Sequence, residues 1–178
     1  MHEFKFKNNE LYCENVKVSD IARSVATPFY LYSYKTLLDH YRKLKTAFRV
    51  LSPLVCFSAK SNSNLAVLRA LVKAGAGLDI VSGGELYRAR MAGIEPKRIV
   101  YAGVGKKPAE IEEAMRSGIL FFNAESEEEL SRIQEVASRL NKKINVALRI
   151  NPDVVPKTHA YIATGKGETK FGIDFETV

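Results

Sequence analysis

One lysine stands where a reactive amine would be chemically useful. Lys60 ends the most apolar short run of the chain, residues 53–60, and the polar residues 61–64 follow it at once. The run has the composition of a buried parallel strand, so the amine would emerge at a carboxyl strand end, where α/β proteins place their active sites. A partly desolvated lysine there can attack an aldehyde and form a Schiff base. The alternative is an ordinary lysine that reaches solvent from the end of a strand.

Strand-like apolar runs alternate with amphipathic helical stretches through most of the chain. The helical stretches show apolar residues at helical spacing, and the strand-like runs are rich in β-branched residues, as in a sheet covered on both faces. The predicted strands of this repeat are residues 54–60, 78–82, 98–103, 119–124 and 144–151, and the segment before the repeat predicts a strand at 27–32 and a helix at 34–48. Five β/α units are too few for a closed barrel of about 250 residues. We therefore expect a fragment of a longer enzyme, with an open five-stranded sheet as the alternative.

Helix boundaries are marked by capping residues. Ser82 with Glu85, and Ser126 with Glu129, have the spacing of a capping box. Since capping explains Glu85 fully, we expect no catalytic role for it.

Composition excludes several classes of protein. The chain has 178 residues, 46% of them hydrophobic, and a net charge of +7 that is spread among acidic residues rather than gathered into a basic run. We expect no nucleic-acid partner, although the basic surplus suits anionic small molecules. The apolar runs are strand-sized and the N-terminus alternates charges, so we expect no membrane association and a cytoplasmic protein. Cys13 and Cys56 lack metal-ligand spacing, and we expect reduced thiols and no metal.

Several segments together resemble the N-terminal part of the diaminopimelate decarboxylase family, and their spacing is similar as well. The similar segments are residues 27–32 (TPFYLY), 57–62 (FSAKSN), 75–86 (GAGLDIVSGGEL), 149–152 (RINP), 157–165 (KTHAYIATG) and 170–172 (KFG). The loop at 157–172 resembles this family more than its ornithine- or arginine-cleaving relatives. The resemblance covers residues 18–178, with mild departures at Phe57 and Ser61 that leave Lys60 in place.

The resemblance implies a fold and an activity. The implied fold class is α/β, a partial (β/α)8 TIM-type barrel of the alanine-racemase-like enzymes that use pyridoxal 5'-phosphate (PLP), truncated after about five units. Residues 1–33 would form an N-terminal segment that gives a strand to a C-terminal β domain, and residues 34–178 an incomplete barrel domain. The implied reaction is decarboxylation of meso-2,6-diaminopimelate to L-lysine and CO2 in a homodimer with shared active sites.

The resemblance also implies roles for individual residues. Lys60 would form the internal aldimine with PLP, and Asp79 would hold its ammonium and assist proton exchange. Ser58, two residues before Lys60 on the same strand face, would hydrogen-bond the cofactor or water, or be a small residue in a crowded barrel. Arg149 would lie near the phenolic oxygen of the cofactor, or seal the barrel through an ion pair. The family's phosphate-binding glycines, ring-stacking histidine, pyridine-nitrogen glutamate and partner-chain cysteine would lie downstream.

Two loop residues and two other functions complete these expectations. His159 and Lys170 would approach the distal carboxylate of the substrate, or be solvated loop residues. The alternative functions are a related PLP-dependent basic amino-acid decarboxylase or racemase, and a catalytically silent homologue or fragment acting as an interaction module.

Overall fold

A parallel sheet with helices packed on one face dominates the structure. The structure is a computed structural model that describes residues 2–151 and 172–174. The strands of this sheet are β4 (Cys56–Ser58), β5 (Gly77–Ile80), β6 (Ile99–Tyr101), β7 (Phe121–Ala124) and β8 (Asn145–Leu148), in the spatial order β4-β5-β6-β7-β8. The helices that follow the first four strands are α3 (Leu65–Lys73), α4 (Gly83–Met91), α5 (Pro108–Ser117) and α6 (Glu127–Arg139). The predicted β/α repeat is therefore confirmed, with strands shorter than the apolar runs.

The two faces of this sheet differ in character. Side chains alternate between faces along a strand, and those that point toward the helices form the fully buried core. This outer core includes Leu78, Ile80, Tyr101 and Phe122, each with no exposed surface, packed against helix residues such as Leu86 and Ile111. The opposite, inner face carries Ser58 and Asp79. Burial of the outer face thus fixes which side chains remain for the inner face.

The helix starts follow the capping signals. The Ser82 hydroxyl accepts a hydrogen bond from Glu85 N, and the Ser126 hydroxyl accepts one from Glu129 N. The glutamate carboxylates reach back one residue further than a capping box requires, to Val81 N at 2.8 Å and to Glu125 N at 3.0 Å. Each glutamate therefore fastens the start of its helix to the turn that leaves the preceding strand.

The N-terminal segment forms a small sheet of its own. Strands β1 (Phe4–Lys7), β2 (Glu10–Cys13) and β3 (Val16–Lys17) are antiparallel in the order β1-β2-β3, and the helices α1 (Val18–Val25) and α2 (Tyr34–Ala47) follow. Hydrogen bonds from Glu3 N to Thr36 Oγ1 and from Ser33 Oγ to a Glu14 carboxylate oxygen attach this small sheet to the start of α2. Strands β9 (Ile150–Asn151) and β10 (Ile173–Asp174) form a further parallel pair.

Two expectations need correction. The strand predicted at residues 27–32 is absent: burial alternates there between half-buried Phe29 and Leu31 and exposed Tyr30 and Tyr32, but the segment pairs with none of the described strands. A strand is defined by its hydrogen-bonded neighbour, which alternation alone does not supply. The second correction concerns Lys60, which lies in a short 3-10 helix, Ala59–Ser61, immediately after β4 rather than within it.

Gly77 lies where β4, β5 and β6 pack closely. A Cβ atom at this position would lie 2.6 Å from Cys56 Sγ and 2.8 Å from the Arg98 carbonyl oxygen. Because the carbonyl oxygen belongs to the backbone, Gly77→Ala should destabilise the protein by about 1–3 kcal/mol, measured by urea unfolding. Gly84→Ala is the matched control, since its Cβ would meet only Ser82 Oγ at 3.8 Å. Equal unfolding midpoints for the two variants would contradict the predicted crowding.

Candidate active site

The carboxyl ends of β4 and β5 bring three of the predicted site residues together. Ser58 and Asp79 are paired in register on the neighbouring strands, and the Ser58 hydroxyl donates a hydrogen bond to Asp79 Oδ2 at 3.2 Å. Lys60 follows in the short helix after β4, and its positive charge lowers the pKa of the Asp79 carboxyl group. The spacing of these residues along the sequence thus corresponds to proximity in the fold.

Asp79 lies in an unusual electrostatic environment for an acid. Burial raises the pKa of its carboxyl group above the ordinary value of 3.8, and the hydrogen bond from Ser58 and the charge of Lys60 oppose that increase. Glu125 raises the Asp79 pKa further, and Lys106 lowers it. A carboxyl group whose pKa is shifted toward neutrality and that lies near an amine is suited to accept and return a proton.

Lys60 is more accessible than expected. The sequence predicted a partly desolvated amine, but Lys60 is exposed. In the part of the chain that the structure describes, β4 is an edge strand of an open sheet, and Lys60 follows it directly. Lys60 nevertheless follows the carboxyl end of β4, at the edge of the sheet where the sequence predicted it.

Arg149 directly follows β8, which lies three strands away from the Asp79 strand, β5. Its guanidinium Nη1 donates to Glu125 Oε2 at 2.9 Å, and its backbone N donates to the Ala124 carbonyl oxygen at 2.9 Å. The Arg149 side chain is 41% exposed, whereas that of Glu125 is 2% exposed. An ion pair was one of the two roles expected for Arg149, and this pair links the ends of β7 and β8.

A buried lysine lies next to this pair and was missed in the sequence. Lys106 has a side chain with no exposed surface, and its Nζ donates to the carbonyl oxygens of Gly103 and Asn123 and to Glu129 Oε1. The missed residues Lys106 and Glu125 each come shortly after a buried strand, as Lys60 does. That position relative to a strand end was the signal that could have identified them.

Two predicted site residues belong to the loop at 157–172. His159 and Lys170 lie outside the described residues.

Within the described ranges, every helix is too short or too polar to cross a bilayer.

The raised Asp79 pKa gives a prediction for stability. Because the folded state keeps the Asp79 proton to a higher pH than the unfolded state does, ionisation of Asp79 reduces stability as the pH rises above 3.8. Asp79→Asn removes this penalty, so it should raise the thermal midpoint of the ligand-free protein at about pH 7 and lose that advantage near pH 4. Ser58→Ala serves as a control that keeps the carboxyl group. An asparagine variant less stable than the parent at neutral pH would contradict the assignment.

Comparison with known proteins connects this geometry to a family. The chain is 46% identical over 170 residues to a diaminopimelate decarboxylase of Aquifex aeolicus, covering 96% of this chain and 40% of the relative. It is 47% identical over 165 residues to one of Neisseria meningitidis, covering 93% of this chain and 41% of the relative. The chain thus spans about two fifths of the length of the curated relatives it matches.

Solved structures give the same picture. A diaminopimelate decarboxylase from M. jannaschii in complex with L-lysine superposes with a TM-score of 0.90 at 37% identity, covering 98% of this chain and 42% of that one. One from Helicobacter pylori, also complexed with L-lysine, gives a TM-score of 0.86 at 43% identity, covering 89% of this chain and 40% of that one. A Chlorella virus arginine decarboxylase, with a TM-score of 0.68 and 21% identity over 89% of this chain and 41% of its own, shares the fold.

These similarities settle the fold class and the family. The five parallel strands, with the four helices that follow the first four of them, are part of a TIM-type barrel, as the sequence predicted. Residues 35–178 match the family described as pyridoxal-dependent decarboxylase, pyridoxal binding domain. By that match, which takes in most of its length, the chain belongs to the pyridoxal-dependent decarboxylase family.

Proposed function

We propose that the complete protein removes one carboxylate from meso-2,6-diaminopimelate, giving L-lysine and CO2, with PLP attached covalently to Lys60. The observation that carries the proposal is the cluster of Lys60, Ser58 and Asp79 at the carboxyl edge of the sheet in a member of a pyridoxal-binding family. The substrate is inferred from sequence similarity. Identity is 37% and 43% to two diaminopimelate decarboxylase structures, against 21–23% to the arginine and lysine/ornithine decarboxylase structures.

The side chains at the sheet edge are chemically suited to PLP. Attachment of PLP through its aldehyde requires a primary amine, which Lys60 supplies. The phenolic oxygen of PLP is stabilised by a nearby cation, which Arg149 supplies. Ser58 and Asp79 give a hydroxyl and a carboxyl group beside the amine. Together they match the aldehyde and phenolic side of the cofactor.

The roles of these residues follow from their chemistry. When bound, PLP supplies an electron-withdrawing ring that takes up the electrons left when the carboxylate departs as CO2. Asp79 takes a proton from the Lys60 ammonium and returns it, which keeps the amine available to exchange with the substrate amine. Ser58, by its hydrogen bond, holds the Asp79 carboxyl group in one orientation. Arg149 keeps a fixed positive charge at the end of β8.

Several further features of the proposal rest on the sequence alone. We propose His159 and Lys170 as the residues to test first for contact with the distal carboxylate of the substrate, because a cation offsets that charge. We also infer a homodimer with shared active sites, a cytoplasmic location, and an N-terminal segment of residues 1–33 that contributes a strand to a β domain.

A substrate panel tests the proposed reaction. The complete protein, loaded with PLP, is given meso-diaminopimelate, ornithine, arginine or lysine, and both CO2 and the amine product are measured. We expect CO2 release from meso-diaminopimelate to exceed that from the other amino acids by at least about 100-fold, because a site built to bind a distal carboxylate rejects substrates that lack one. Faster release from ornithine or arginine, or racemisation without CO2, would refute the proposed function.

A further inference from the structure

We propose that Glu125 is a positioning residue that holds the Arg149 guanidinium in the orientation needed to contact PLP. The inference rests on the proposed function, since it assigns a target to Arg149. It concerns a residue that touches neither the amine nor the substrate and acts only through Arg149.

The Glu125 carboxylate is fixed at both oxygens. Oε1 accepts a hydrogen bond from Gly103 N at 2.7 Å, and Oε2 accepts one from Arg149 Nη1 at 2.9 Å. The side chain is 2% exposed, so water cannot readily replace either donor. With one oxygen bound to the backbone after β6, the other is held in place for Arg149. The carboxylate therefore sets where the guanidinium can lie.

Glu125 is itself held by a second buried pair. Its backbone N donates to Glu129 Oε2 at 3.0 Å, and the other oxygen of Glu129 accepts from Lys106. Lys106 also donates to the carbonyl oxygens of Gly103 and Asn123, at 2.7 and 2.9 Å. The Glu125 carboxylate that binds Arg149 is thus supported by four residues near the ends of β6 and β7 and the start of α6, namely Gly103, Lys106, Asn123 and Glu129. Support of this kind gives precise orientation rather than mere proximity.

Stability alone does not explain the Glu125–Arg149 pair. The backbone of Arg149 is already anchored, because its N donates to the Ala124 carbonyl oxygen and its carbonyl oxygen accepts from Ile173 N at 2.8 Å. Removing a carboxylate from water has a large cost, and a buried ion pair is weak evidence for stabilisation. The partner of this buried acid is an arginine whose side chain is 41% exposed. The negative charge of Glu125 also raises the pKa of the Asp79 carboxyl group.

A double-mutant cycle on cofactor affinity tests the positioning role. The variants of the complete protein are Glu125→Gln, Arg149→Met and the double substitution, and the dissociation constant for PLP is measured by absorbance titration of the cofactor-free proteins. We expect about 10-fold weaker binding for Glu125→Gln and about 30-fold for Arg149→Met, with the double variant also near 30-fold. Independent losses that multiply to about 300-fold would overturn the inference.

Controls separate positioning from folding. Glu110→Gln is the matched control, because this carboxylate also accepts a hydrogen bond at each oxygen, in its case from the backbone N–H groups of Gly83 and Lys107. It should lower the thermal midpoint without weakening PLP binding. If Glu125→Gln does not fold, Glu125→Asp replaces it, because this variant keeps the charge but shortens the side chain. Its fold-loss in PLP affinity is also expected not to multiply with that of Arg149→Met.

The outcome for the parent protein separates the two proposals. A parent that binds no PLP overturns the proposed function and this inference together. A parent that produces lysine from meso-diaminopimelate, with independent losses in the cycle, overturns the role of Glu125 alone.

Discussion

Lys60→Ala is expected to abolish lysine formation by the complete protein. The substitution removes the amine that would attach PLP, and the Ser58 and Asp79 side chains cannot replace it as nucleophiles toward an aldehyde. We expect a loss of at least about 10³-fold in turnover, which corresponds to about 4 kcal/mol of transition-state stabilisation. Borohydride reduction of the PLP-loaded parent should fix the cofactor to the peptide that contains Lys60, as detected by mass spectrometry.

Lys97→Ala is a suitable control for this experiment. Lys97 is exposed in the short 3-10 helix Pro96–Arg98, which precedes β6 and lies at the amino edge of the sheet, opposite Lys60. It should retain both turnover and reductive labelling. Labelling of a different lysine in the parent protein, or lysine formation by Lys60→Ala at the parental rate, would refute the assignment of Lys60.

The largest effect on stability is expected from Lys106→Met. The Lys106 side chain has no exposed surface and pairs with Glu129, whose side chain is 9% exposed. Removing the ammonium leaves the Glu129 carboxylate buried without a cation, which destabilises proteins by about 3–5 kcal/mol. The measurement is the free energy of unfolding of the complete protein in urea.

A second substitution shows whether the unpaired charge causes this loss. Lys106→Met combined with Glu129→Gln removes both charges and leaves the glutamine carbonyl able to accept from Glu125 N. The double variant should recover a substantial part of the stability lost by Lys106→Met. A double variant less stable than Lys106→Met would show that packing around the lysine stem, rather than the buried charge, is what matters at this position.

Local patterns determined much of what the sequence predicted correctly. The caps at Ser82 and Ser126 depend on residues three positions apart, and the buried strands depend on short apolar runs. Both patterns can therefore be identified from neighbouring residues in the sequence. Ser58 and Asp79 could be placed at one edge because parallel strands end together. The family resemblance added the chemistry expected of Lys60.

Pairing across the sheet explains what the sequence did not reveal. Glu125 and Arg149 are 24 residues apart, and Lys106 and Glu129 are 23 apart, so their contacts depend on strand register and loop shape. The strand predicted at residues 27–32 was wrong for the same reason, since alternation indicates an extended chain but not its neighbour.

The carboxylates that reach back from α4 and α6 have a consequence for how such a scaffold diversifies. Glu85 binds Val81 N and Glu129 binds Glu125 N, so each turn is closed by atoms of its own β/α unit. Each turn is also bound to a neighbouring unit, because Gly83 N donates to Glu110 and Lys106 donates to Glu129. A substitution in one unit therefore alters the support of the next turn, so related proteins should change the residues of adjacent units together.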